Sequence, residues 1–85
     1  MPTPNIPKTT PECEQLLNMV MEGLYSTVFD AQKKEMARVA LRRLRKNRCV
    51  KSLEYIIRIT SEGNVFDSFR KEVCDTAMQY LTELT

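Results

Sequence analysis

The residues of this chain best suited to chemistry are cations set in a row. From Lys33 to Lys51 the sequence reads KKEMARVALRRLRKNRCVK, which holds nine of the thirteen basic residues and one acid, Glu35. Nine bases less one acid give this segment +8, while the four bases and ten acids elsewhere give −6, so the formal total of +2 hides a strongly polarised molecule. Lys34, Arg38, Arg42 and Arg45 recur at helical spacing, with Lys33, Arg43 and Lys46 to either side and Arg48 and Lys51 following. A guanidinium fork matches phosphate oxygens better than an ammonium does. A nucleic-acid duplex is a polyanion with about one charge per 1.7 Å of axis in DNA. A rigid helical row about 25 Å long, from the rise of 1.5 Å per residue, could follow that backbone and gain affinity by releasing counterions. The candidate nucleic-acid contacts are therefore Lys33, Lys34, Arg38, Arg42, Arg43, Arg45, Lys46, Asn47, Arg48 and Lys51, with Asn47 offering a polar group to sugar, phosphate or base.

Crowding so many cations has a cost. Like charges at i,i+4, such as Arg38–Arg42 and Arg42–Lys46, destabilise a helix by about 0.2–0.5 kcal/mol per pair. A face meant only for water would be better served by alternating signs. No aromatic lies within Lys33–Lys51, which argues against stacking on single-stranded bases and for shape and phosphate recognition of a duplex. Duplex RNA is read mostly in that way, so the leaning is toward double-stranded RNA bound without sequence preference and shielded from processing enzymes. The alternative is a protein-interaction module. Its basic helix would grip an acidic partner, or an apolar groove built from Leu17, Met19, Tyr25, Phe66 and Phe69 would take a partner helix.

Other chemistries find little here. The chain has no histidine, so histidine acid–base catalysis is excluded, and its acids form no distinctive pair. Gly23 and Gly63 are the only glycines, so there is no glycine-rich phosphate loop. Cys49, flanked by Arg48 and Lys51, could be a reactive thiol, but it has no histidine base. The expectation is a non-enzyme without a cofactor. Cys13, Cys49 and Cys74 are odd in number, far apart and not at metal-ligand spacing, which reads as small buried thiols of a reducing compartment and no zinc site. No signal-peptide pattern opens the sequence and no apolar run could cross a bilayer. The expected location is cytosol or nucleus, with no membrane partner.

The elements that would hold the cations read as all-α, a small bundle of about four helices. Eighty-five residues fit one domain with a small core, so association as a homodimer that pairs two basic helices is expected. Residues 1–10, with three prolines, read as a flexible tail, and 11–85 as the domain. Thr10–Pro11 starts a first helix with apolar residues at Cys13, Leu16, Leu17, Val20, Met21, Leu24 and Val28, ending near Thr27 or Val28. Gly23 could admit a close neighbour. The second helix runs from about Asp30 to Asn47 on a narrow stripe of Ala37, Ala40, Leu41 and Leu44. Leu53 to Thr60 alternates as a strand would, but no second strong strand exists to pair with it, so a short buried helix with Ser52 as cap and Gly63 as stop is expected. Asn64 would cap the last helix with Asp67 at its third position, on a stripe of Phe66, Phe69, Val73, Ala77, Tyr80 and Leu84.

Overall fold

The computed structural model describes residues 10–27, 29–61 and 67–85. These residues form four helices in order: α1 (Pro11–Leu24), α2 (Ala31–Lys46), α3 (Val50–Ser61) and α4 (Ser68–Leu84). No strand occurs among the described residues. Residues 1–9 of the tail expected over 1–10, and Val28, Gly63, Asn64 and Phe66, lie outside them.

Local chemistry accounts for the helix ends. Thr10 is extended, with φ −69° and ψ 154°, and its Oγ1 accepts from the Cys13 N–H at 3.2 Å, with Pro11 at the first helical position. α1 stops at Leu24, earlier than expected, because Ser26 competes for the last turn. Its hydroxyl donates to the Gly23 carbonyl at 2.7 Å and its N–H to the same oxygen at 3.4 Å. Asp30 caps α2 by accepting from the Lys33 N–H at 3.0 Å. α3 is a helix, as expected, but it begins at Val50 and not behind a Ser52 cap. Ser52 is fully buried, with an Oγ that has no hydrogen-bond partner. α4 starts one step beyond Asp67, which is the cap itself and accepts from the Arg70 N–H at 3.0 Å. Arg70 reaches back to close α3, donating from Nη2 to the Ile59 carbonyl at 2.6 Å.

Two antiparallel hairpins make the bundle. α1 packs chiefly on α2 and α3 on α4, while α2 and α4 join the pairs. Cross-contacts fix the directions. Arg38 meets Glu72 and Arg45 meets Glu83, so α2 and α4 run parallel. The core holds Leu16, Leu17, Val20 and Leu24 of α1, Ala37, Ala40, Leu41 and Leu44 of α2, Leu53, Tyr55 and Ile56 of α3, and Phe69, Val73 and Ala77 of α4. Leu17 and Phe69 are core residues, so they do not line a surface groove.

The cysteines require a correction. Cys13 and Cys49 are not separate thiols but a disulfide, with Cα atoms 5.8 Å apart and a sequence separation of 36. Cys74 alone is free, and it is buried. The bond ties the first turn of α1 to the junction of α2 and α3. Closing a loop of this size stabilises a small domain by about 3–4 kcal/mol on the chain-entropy account. The cysteines therefore no longer argue for a reducing compartment.

The α1–α2 contact depends on a missing side chain. A Cβ on Gly23 would lie 2.5 Å from the Ala37 Cβ and 3.0 Å from the Lys33 carbonyl oxygen. Gly23→Ala gains about 1 kcal/mol of helix propensity but must push two backbones apart, at a typical cost of 1–3 kcal/mol. The expected result is net destabilisation, read as a lower urea midpoint with unchanged far-UV helicity before the transition. A midpoint at or above wild type would show that the helices are not in tight contact there.

Candidate nucleic-acid interface

α2 carries its charges on a buried base. Ala37, Ala40 and Leu44 are fully buried and Leu41 nearly so. That fixes the rotation of the helix and sorts the cations into two groups. Lys34 and Arg38 are half-buried, and Arg45 shares their flank of the helix; all three face α4. Lys33, Arg42, Arg43 and Lys46 are exposed on other faces of α2, Asn47 and Arg48 in the following turn, and Lys51 in the first turn of α3.

The first group is engaged with the chain itself. Arg38 makes a two-pronged contact with Glu72, Nε to Oε2 at 2.6 Å and Nη2 to Oε1 at 3.1 Å, and also reaches Glu35 at 3.3 Å. Its guanidinium carbon lies 5.2 Å from the Phe69 ring centroid, and the Lys34 ammonium lies 5.4 Å from the same ring. Lys34 also donates to the Thr27 carbonyl at 2.6 Å and the Ser26 hydroxyl at 3.1 Å, fastening the α1–α2 turn. Arg45 pairs with Glu83 at 2.7 Å and lies 5.1 Å over the Tyr80 ring. The acidic face that a basic helix could seek in a partner is thus met within the chain. The sequence could not show this, because the partners lie 34 and 38 residues away.

These pairs set proton affinities. Hydrogen bonding to Glu72 raises Arg38 above its ordinary value, and hydrogen bonding to Glu83 does the same for Arg45. The Arg38 hydrogen bonds hold the Glu72 carboxyl below the usual carboxylate range, against an opposing desolvation.

The second group is free to meet a ligand. Among the described residues the side chains of Arg42, Arg43, Lys46, Arg48 and Lys51 make no ion pair. Asn47 is less available, since its Nδ2 donates to the Arg43 carbonyl at 3.0 Å and to Glu12 at 3.3 Å. Arg42, Arg45, Lys46 and Arg48 rim an open depression of about 470 Å³ beside Glu83 and Leu84. A second depression, of about 360 Å³, opens over the disulfide, between Thr10, Cys13, Asn47, Arg48 and Lys51. Arg48 borders both.

Arg48 has an unusual backbone. Its φ is +56°, the only positive value at a non-glycine among the described residues. It occupies the left-handed position after α2, with its N–H bonded to the Arg45 carbonyl at 3.1 Å and the Cys49 N–H bonded to the Leu44 carbonyl at 2.9 Å. Glycine is the usual occupant, because a Cβ in this conformation costs about 1–2 kcal/mol. Sequence reasoning placed Arg48 in a turn but had no signal for this geometry.

Among the described residues no group of three or more His, Cys, Asp or Glu could hold a metal ion. No helix there is long and apolar enough to cross a membrane. Comparison with family models, curated proteins and solved structures found no match.

Two outcomes are expected. Because the Glu72 value is lowered on folding, its contribution is present above the ordinary carboxylate value and is lost as pH falls through the depressed one. Both partners are more than one-third exposed, so Glu72→Gln should cost no more than about 0.5–1 kcal/mol at neutral pH. The gap from wild type should close in acid, as followed by melting temperature against pH. A gap that persists unchanged at low pH would show that the pair does not supply it. Arg48→Gly should raise stability by about 1 kcal/mol, and a lower denaturation midpoint would contradict the left-handed turn.

Proposed function

We propose that this chain is a non-catalytic nucleic-acid-binding protein that grips the phosphate backbone of a duplex, with double-stranded RNA favoured and no sequence preference. The observation that carries the reading is the set of five exposed cations without ion-pair partners among the described residues, Arg42, Arg43, Lys46, Arg48 and Lys51, gathered where α2 ends and α3 begins. The footprint is shorter than the full row of cations in the sequence, since Lys34, Arg38 and Arg45 are committed to α4 and the α1–α2 turn. Groups aimed at phosphate need no base contacts, and no aromatic residue lies within the cationic segment to stack on an opened strand. The largest extent of the chain, 34 Å, matches about ten base pairs at 3.4 Å each. Two copies paired with their cationic ends along one duplex would double the contact, and we propose such a homodimer. Coating of this kind would keep processing enzymes from the duplex. The location we propose is cytosol or nucleus, where duplex nucleic acids are met.

A second reading, a protein-interaction module, is favoured by the α1–α2 turn, where Phe29 is 92 % and Tyr25 67 % exposed. It expects a nuclease-resistant complex that is lost on replacing both rings by alanine.

Mobility shifts on duplex RNA, duplex DNA and single strands in one titration test the leading reading. Binding should weaken with salt at a log–log slope of about −4, corresponding to four or five phosphates. The triple variant Arg42→Glu, Arg43→Glu, Lys46→Glu avoids the residues that hold α4. It should flatten the slope by about three and keep full helicity. No shift of wild type on any strand or duplex at low salt would end the proposal.

A further inference from the structure

The disulfide lies under the cationic turn, where Cys13 and Cys49 sit at the edge of the depression and are buried with the core, 6 % and 3 % exposed. Cys49 follows Arg48 directly, and its N–H makes the shorter of the two bonds that hold Arg48 in the left-handed conformation, 2.9 Å against 3.1 Å. Its Sγ is bonded to Cys13 in the first turn of α1. The backbone on either side of the strained residue is thus anchored twice, to α2 by hydrogen bonds and to α1 by the covalent bond. The bundle itself has other support. Leu16, Leu17 and Val20 of α1 are buried in the same core as the two cysteines, and α1 packs chiefly on α2 along its length. The depression over the disulfide is bordered by Arg48 and Lys51. It is an open approach whose charge would attract an anionic thiolate.

We propose that Cys13–Cys49 is a thiol-reducible clamp on the Arg48 turn, which keeps the cationic end in its phosphate-binding arrangement only while oxidised. The inference rests on the nucleic-acid reading and names the regulation of that same surface. The reductant is a low-molecular-weight thiol. Its thiolate attacks one Sγ, the Cys13–Cys49 bond breaks, and a mixed disulfide forms. A second thiol displaces the protein sulfur. In sum two small thiols become one disulfide, and two electrons and two protons pass to Cys13 and Cys49. The same exchange run backwards restores the clamp. In a thiol-buffered compartment a disulfide of this kind is characteristically transient and redox-sensing. Release frees one or two backbone residues that binding must then re-order, which corresponds to about a five- to tenfold loss of affinity.

The test compares oxidised and thiol-treated full-length protein on one fluorescent RNA duplex at low salt, with far-UV helicity recorded for each. One thiol per denatured chain, that of Cys74, should titrate before reduction and three after. The oxidised form should bind about five- to tenfold tighter. The double variant Cys13→Ala, Cys49→Ala should bind like the reduced form whatever the thiol present. Three thiols without reduction, equal affinities, tighter binding by the reduced form or a thiol response that survives in the double variant would each overturn the clamp. So would a global loss of helicity on reduction, which would make the bond a staple for the whole fold. Failure of both forms to bind any duplex would instead overturn the nucleic-acid reading on which the clamp rests.

Discussion

The organisation of this protein depends on how little side chain α2 presents to its neighbours. Ala37 and Ala40 are small and wholly enclosed, with Leu41 and Leu44 filling the same stripe. Opposite Ala37, Gly23 offers no side chain at all. A helix with so narrow an apolar face can be held only by close approach, since larger gaps would leave its few methyl groups without contact partners. Close approach in turn fixes the rotation of α2, and the rotation decides which cations turn inward and which outward. The distribution of charge at the surface is therefore a consequence of packing between glycine and alanine.

Along the flank facing α4, carboxylates and aromatic rings share the work of holding the cations. Glu72 and Glu83 neutralise Arg38 and Arg45, while Phe69 and Tyr80 lie beneath the guanidinium planes. Each exposed pair contributes little alone. Together they set α4 at a defined height along α2, because a slip of one turn would part both pairs at once. The acidic residues of α4 thus have a structural task, and the remaining cations of α2 and its following turn are those that no such task absorbs.

Much of the fold was legible because helical periodicity and caps are local. Thr10, Pro11 and Asp30 marked two helix starts, and the Ala37–Leu44 stripe marked the inner face of α2. The helix over Leu53–Thr60 was reached by asking where a lone strand would satisfy its backbone. What could not be read was relational. Cys13 and Cys49 carry no sign in the sequence that two helix ends will bring them together. The recruitment of Arg38 and Arg45 by α4 depends on the parallel course of two helices that are not adjacent in the chain. Ser52, expected at a cap for its hydroxyl, is buried in the first turn because Cys49 already supplies the carbonyl that Leu53 bonds. The left-handed Arg48 is likewise invisible where residue type is the only guide.

The parallel course of α2 and α4 has a consequence for the electrical character of the whole molecule. Their carbonyl ends lie at the end where α1 and α3 begin, so the backbone dipoles of the four helices oppose one another in pairs. Each contributes about half a unit charge at its ends, and two of either sign nearly cancel. The molecular dipole then resides almost wholly in side chains. A few charge substitutions at one end could reverse its direction while every helix stayed in place, which is a freedom that bundles of aligned helices do not possess.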